Sequence, residues 1–259
     1  MYYTSRHRND GFGAQFQNII FDILYTYSNT NNTYVFPGID SFEHNYNNEP
    51  GYTNRLIRYM NLKNHFCVGG GNGGNGGNVT FQLGAIHRYN TDPYSYVEDN
   101  ISKLIISEHM KLIKSLFYAD KSTSFDSNYH NVAVHVRRPN SNDCRVDGTN
   151  VIDDYYLNVI KYIRKNHDSD GKPLRFHIYS QGATDAYDEY TNNHDDTVLH
   201  LNEDVLITFH GLVFADTLVT SASSFSYTAA LLSNGVIYYK DFWHKPADSW
   251  IVGDKLCHD

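Results

Sequence analysis

The stretch NVAVHVRRPN at 131–140 decides how this chain is read. Val132, Ala133, Val134 and Val136 are apolar and mostly β-branched, which is the composition of a strand buried on both faces of a sheet. Two guanidiniums follow at once. Pro139 then bars a helix from starting directly behind them. A buried parallel strand therefore delivers Arg137 and Arg138 to its carboxyl end, the edge where open α/β sheets bind ligands. Arginine grips phosphate with a planar, permanently charged fork. The plainer role for either residue is a surface ion pair.

Downstream of this strand the pattern alternates. A helix is expected near 153–165, with Tyr156, Val159, Ile160 and Ile163 on one face. A strand follows at Leu174–Tyr179, a helix near 184–190 and a strand at Thr197–Leu201. Next come a helix near 203–214, a strand at Thr217–Thr220, a helix at 226–232 and a strand at Val236–Tyr239. Strands alternating with helices predict an α/β fold with a parallel, Rossmann-like sheet.

Upstream the reading is sparser. A short strand is expected around Met1–Arg6. The Gly-containing turn DGFGAQFQN at 10–18 then runs into a helix over Ile19–Tyr27. A second strand is expected at Thr33–Phe36, and SFEHNYNN at 41–48 reads as a loop. Residues 69–78, GGGNGGNGGN, are low in complexity and predict a flexible surface loop without the Lys-Ser/Thr ending of a phosphate loop. The spacing of Ile101, Leu104, Ile105, Leu112, Ile113 and Leu116 predicts one long helix over 97–118. The polar stretch 120–130 reads as a linker, giving two α/β domains, 1–125 and 126–259.

The 259 residues carry a net charge of −8, which argues against a nucleic-acid partner. An anionic ligand must then be held by local donors. Three scattered cysteines (Cys67, Cys144 and Cys257) suggest neither a disulfide framework nor a zinc site. The N-terminal residues lack the apolar core of a signal peptide, and no stretch has the length of a membrane span, so the expected location is cytoplasmic. The sequons at Asn31, Asn78 and Asn100 carry little weight in that compartment.

Three segments end strands and open polar loops: 135–140, YSQG at 179–182 and TSASSFS at 220–226. Serines ahead of a helix can cap it, and the helix N-terminus attracts phosphate through its N–H groups and dipole. Simple capping accounts for one or two of Ser221, Ser223, Ser224 and Ser226. Four serines at the same sheet edge as an Arg pair point to a phosphate-binding cleft.

The series HVRR, the YS loop and ADTLVTSASSFSYTAALL at 215–232 resembles the motifs of the fucosyltransferase superfamily, the α1,2-, α1,6- and protein O-fucosyltransferases. GFGAQFQ at 11–17 is similar to the family's N-terminal Gly-rich loop. NEDV at 202–205 and KDFWH at 240–244 resemble glycosyltransferase-like proteins of large DNA viruses, algae and bacteria, including viral capsid-glycan enzymes that work in the host cytoplasm. The resemblance implies a GT-B architecture with a donor cleft between two Rossmann-like domains and metal-independent, inverting transfer. GDP-fucose is the leading donor, and UDP-xylose or another nucleotide sugar stays open. The acceptor would be an oligosaccharide or glycoprotein. Carried over, it places Arg137 or Arg138 on the donor diphosphate. It also places Gly11, Gly13, Gln15, His135, Ser180, Gln181, Ser223, Ser224, Phe225 and Ser226 in the donor site, the first three on the cleft-facing loop of the first domain. Asn140 stands where the family often has Asp, and Ala14 where it has an amide.

Charge developing on the departing diphosphate could be held by Arg137 and the helix N–H groups with no metal or other cofactor. DSD at 168–170 mimics a metal-binding pattern but reads as a solvated turn. An inverting transfer needs a base for the acceptor proton. Asp143 and Glu43 are the leading candidates, with Asp147 and His44 behind them. His44 and Tyr46 are expected to touch the acceptor. A sugar-binding module of the same fold without turnover is the alternative. An oxidoreductase is disfavoured, because the first turn lacks the third glycine of the dinucleotide fingerprint.

Overall fold

The computed structural model describes residues 2–6, 9–28, 32–67, 81–83, 92–138, 153–167, 171–192 and 194–258. The chain divides into two compact units, Met1–Lys121 and Ser122–Asp259. The Gly/Asn stretch 69–78 lies outside the described residues.

In the first unit β1 (Tyr2–Ser5) is the centre of a three-stranded parallel sheet, flanked by β2 (Thr33–Val35) and β3 (Phe81–Leu83). The helix α1 spans Phe12–Tyr27 and so begins seven residues before the expected Ile19. Gly11 and Gly13 do not delay it, because Phe12, Phe16, Ile19, Ile20 and Ile23 recur at helical spacing and are all buried. The helix α2 (Tyr52–Met60) was not anticipated. The long helix expected over 97–118 is instead three helices: α3 (Asp92–Asp99), α4 (Ile101–Leu104) and α5 (Glu108–Tyr118). The break before α5 has a local cause. The Ser107 side chain accepts from the Met110 N–H and starts α5 afresh.

The second unit matches the expected alternation. In chain order it runs β4 (His130–His135), α6 (Asp153–Asn166), β5 (Leu174–Ser180) and α7 (Asp188–Thr191), the last preceded by a 3₁₀ turn. Then follow β6 (Thr197–Leu201), α8 (Val205–Phe214), β7 (Thr217–Val219), α9 (Ser224–Leu232), β8 (Val236–Tyr239) and β9 (Ile251–Val252). The described strands form a six-stranded sheet in the order β6-β5-β4-β7-β8-β9, and every pairing is parallel. This is the doubly wound order, with its topological switch between β4 and β7.

The two faces of β4 differ. Val132, Val134 and Val136 join Phe176 and Ile178 of β5 against Tyr155, Tyr156, Val159, Ile160 and Ile163 of α6. On the opposite face Ala133 and His135 are in register with His177 and Tyr179 of β5. Here α8 comes in close: a Cβ on Gly211 would lie 2.1 Å from the Tyr179 hydroxyl, so only glycine fits. The strand is buried on both faces as expected, one face apolar and the other carrying the small Ala133 and the polar His135. Among the described residues no helix is long and apolar enough to cross a membrane.

Candidate functional site

Two groups of residues picked out from the sequence are brought together, one in each unit. In the second unit the site lies at the switch point. Arg137 follows β4 by two residues, and Ser221 follows β7 by two. Val136 N–H donates to Tyr179 O and Thr220 N–H to Tyr238 O, so both chains leave the sheet in fixed directions. Arg137 Nη1 donates to Ser223 Oγ at 3.0 Å, a contact spanning 86 residues of sequence. Ser223 is the N-cap of α9 and also accepts from the Phe225 N–H at 3.2 Å. A guanidinium and the positive end of a helix dipole therefore meet at one serine oxygen.

His135 completes this corner. Its Nδ1 lies 2.8 Å from Ser221 Oγ, and its ring packs against Phe225 with centroids 5.5 Å apart. Burial and the neighbouring Arg137 push its pKa down to about 3, so the imidazole is neutral at ordinary pH. Ser226 points inward, where its hydroxyl accepts from the Ser221 N–H and donates to backbone carbonyls of the same turn. Ser226 therefore braces the turn. Ser224 Oγ faces His244 Nε2 at 3.3 Å.

Arg138 is occupied differently from its neighbour. It makes a two-pronged ion pair with Asp153 at 2.8 and 3.0 Å, donates to the Tyr187 hydroxyl and stands over the Tyr187 ring. Tyr190 also donates to Asp153 at 2.5 Å. Ser180 Oγ donates to Val136 O and bonds to Tyr187, while Gln181 is exposed and gives its carbonyl to Tyr187. Of the two arginines, Arg138 anchors the loop to α6, and Arg137 stands at the helix end. Asp153 and Tyr187 were missed in the sequence. The acidic pair at the start of α6 was their only trace, and it also reads as ordinary dipole complementation.

The first unit gathers Gly11, Gln15, Glu43, His44 and Tyr46 around the start of α1. Glu43 N–H donates to Asp10 O at 3.0 Å, and Gln15 Nε2 donates to Asp10 O and Ser41 O at 2.8 and 3.0 Å. Gln15 is thus a buried tie between two loops. His44 lies directly over Gly11, where an added Cβ would come within 2.8 Å of its ring. His44 holds a left-handed backbone at φ +72° and bonds through Nδ1 to the Tyr46 hydroxyl at 2.5 Å. Gly13 lies within the first turn of α1 and is buried. Asp143, Asp147, Asn140 and the pair Asp168 and Asp170 lie outside the described residues.

No family model and no curated protein matches the chain. Among solved structures it is similar to the fucosyltransferase NodZ from Bradyrhizobium, at 14% identity and a TM-score of 0.43 over 90% of this chain and 93% of that one. A selenomethionine form of NodZ matches at the same identity and TM-score over 95% and 99%. FUT1 of Arabidopsis thaliana, in a complex with GDP, matches at 14% and 0.28 over 61% of this chain and 40% of that one. At such values these are likenesses of chain path, not of residues or activity.

Proposed function

We propose that the chain is a glycosyltransferase that holds the diphosphate of a nucleotide sugar between Arg137 and the N-terminus of α9. One observation carries this reading: Arg137 reaches across the switch point to the N-cap of the facing helix, so a fixed cation and a helix dipole converge where doubly wound sheets bind nucleotides. The serine-rich turn and the HVRR series support the same reading through their resemblance to fucosyltransferases. GDP-fucose is the first donor to try, and UDP-xylose the second.

In this mechanism the bond from the anomeric carbon to the diphosphate breaks through an oxocarbenium-like state. The leaving oxygen takes up the electron pair, and Arg137 with the helix end stabilises the growing charge. An acceptor hydroxyl attacks from the opposite face, and its proton passes to a carboxylate. Asp143 and Glu43 are the two candidates for that base. Neutral His135 adds no competing charge. Arg and the helix supply the charge stabilisation, so transfer is expected to persist in chelator; loss in EDTA with recovery in manganese would contradict this.

The testing experiment is a thermal-shift panel of GDP- and UDP-sugars on the whole chain, because a ligand that binds only the native state raises its melting temperature. A shift with one nucleotide family, abolished in Arg137→Ala, is the expected result. No shift with any nucleotide sugar would overturn the reading. Binding with neither hydrolysis nor transfer would mark a sugar-nucleotide-binding module instead.

A further inference from the structure

The loop after β8 leaves one large ring in solvent and fixes it there. Trp243 is 56% exposed. Its Nε1–H donates to His244 Nε2 at 3.1 Å, and its ring packs on Phe242 with centroids 5.0 Å apart. His244 is buried, and its carbonyl accepts from the Tyr239 hydroxyl. The loop is pinned at both ends. Lys240 N–H donates to Thr220 Oγ1 at 2.9 Å, the Lys240 ammonium and the Asp241 N–H both reach Asp254, and the Tyr227 hydroxyl donates to Lys245 O at 2.8 Å. Lone exposed aromatics are common on protein surfaces. This one differs in having its orientation set by hydrogen bonds and in its neighbour: the same His244 Nε2 that accepts from the indole lies 3.3 Å from Ser224 Oγ, in the first turn of α9.

We infer that Trp243 is the stacking platform for the glycosyl ring of the nucleotide sugar; this rests on the reading of α9 as the diphosphate site. In a nucleotide sugar the glycosyl ring is bonded to the terminal phosphate, whereas the base is set apart by the ribose. The platform stands one imidazole away from the phosphate-binding turn, which suits the glycosyl ring. An indole face offers a flat apolar surface to the C–H face of a pyranose and leaves its hydroxyls to polar partners. Trp243 is then a specificity residue for the transferred sugar.

The chain has two tryptophans, Trp243 and Trp250, and Trp250 is buried. In Trp250→Phe the indole of Trp243 therefore reports alone. Its emission is expected to change when a nucleotide sugar is added and to stay constant with the matching bare nucleoside diphosphate. By calorimetry, Trp243→Ala should bind the nucleotide sugar roughly tenfold more weakly, with bare nucleotide affinity unchanged and Trp243→Phe retaining most of the affinity. Equal emission changes with both ligands, or a Trp243→Ala variant that loses no affinity for the nucleotide sugar, would overturn the inference while leaving the diphosphate site standing. A parent chain that binds neither ligand by calorimetry would overturn both.

Discussion

Both units start a helix near the carboxyl end of a parallel strand, yet they furnish those starts differently. At α1 the N-cap is Gly11, with no side-chain cap, and the surrounding groups tie loops together: Asp10 to the Gly11 N–H, Gln15 to two carbonyls, His44 over the glycine. At α9 the cap is Ser223, and a guanidinium arrives from the neighbouring strand. Amide, imidazole, phenol and carboxylate suit hydroxyl groups, whereas a cation on a helix dipole suits an anion. Under the proposed function, the two similar strand-to-helix connections would take different ligands. The deciding feature is the side chain that the adjacent strand delivers.

The largest expected effect tests the α9 side. Arg137→Ala should lower turnover by roughly 10²–10³, the loss typical of one preorganised donor, and leave the melting temperature nearly unchanged. Arg137→Lys should recover only part, because the charge returns without the fork. Normal turnover in Arg137→Ala would erase the contrast between the two helix starts.

Arg138 is expected to behave as a structural group. Its pair with Asp153 is partly shielded, with side-chain exposures of 16% and 31%. Arg138→Ala should cost about 1–2 kcal/mol of stability, read by denaturant melts. Asp153→Ala should cost a similar amount, with the double variant less than additive. Additive losses would mean that the two side chains act independently.

The third effect is a pH slope. The unfolded His135 takes up a proton near 6.5, while the folded one resists until about 3. Stability from this residue is therefore present above pH 6.5 and is lost as pH falls through that window, by up to about 1.4 kcal/mol per pH unit. His135→Gln should flatten the acid limb of a stability profile by that amount. An unchanged slope would place the imidazole in a more solvated setting.

The smallest effect sharpens the α1 side. Gly11→Ala forces the His44 ring away. Transfer to an acceptor is expected to fall severalfold, with nucleotide binding unchanged by calorimetry. Weaker nucleotide binding in this variant would assign both helix starts to the donor.

The second unit was legible because its strands are short apolar runs set off by polar turns. Thr197–Leu201 and Val236–Tyr239 lie where the sequence puts them. The six-stranded parallel sheet follows from that alternation. The first unit was less legible for identifiable reasons. In α2 Tyr52, Leu56, Ile57 and Met60 do recur at helical spacing, but the stripe runs for only nine residues after a polar loop. A single capping hydroxyl at Ser107 outweighs the continuous apolar spacing that suggested one helix. The two-residue β9 is too short to leave a pattern. Within the site, the Arg pair and the serine turn could be read from strand ends. The division of labour between Arg137 and Arg138 could not, because it depends on Asp153 and Tyr187, which no local pattern links to them.

The central claim is that Arg137 and the start of α9 hold a nucleoside diphosphate. Calorimetric titration of the whole chain and of Arg137→Ala with GDP and with UDP tests it most directly. The account predicts that one nucleotide binds the parent chain and binds Arg137→Ala at least about tenfold more weakly, the loss expected for a charge-assisted contact. Equal affinity in both proteins, or no binding of either nucleotide to the parent, would contradict it.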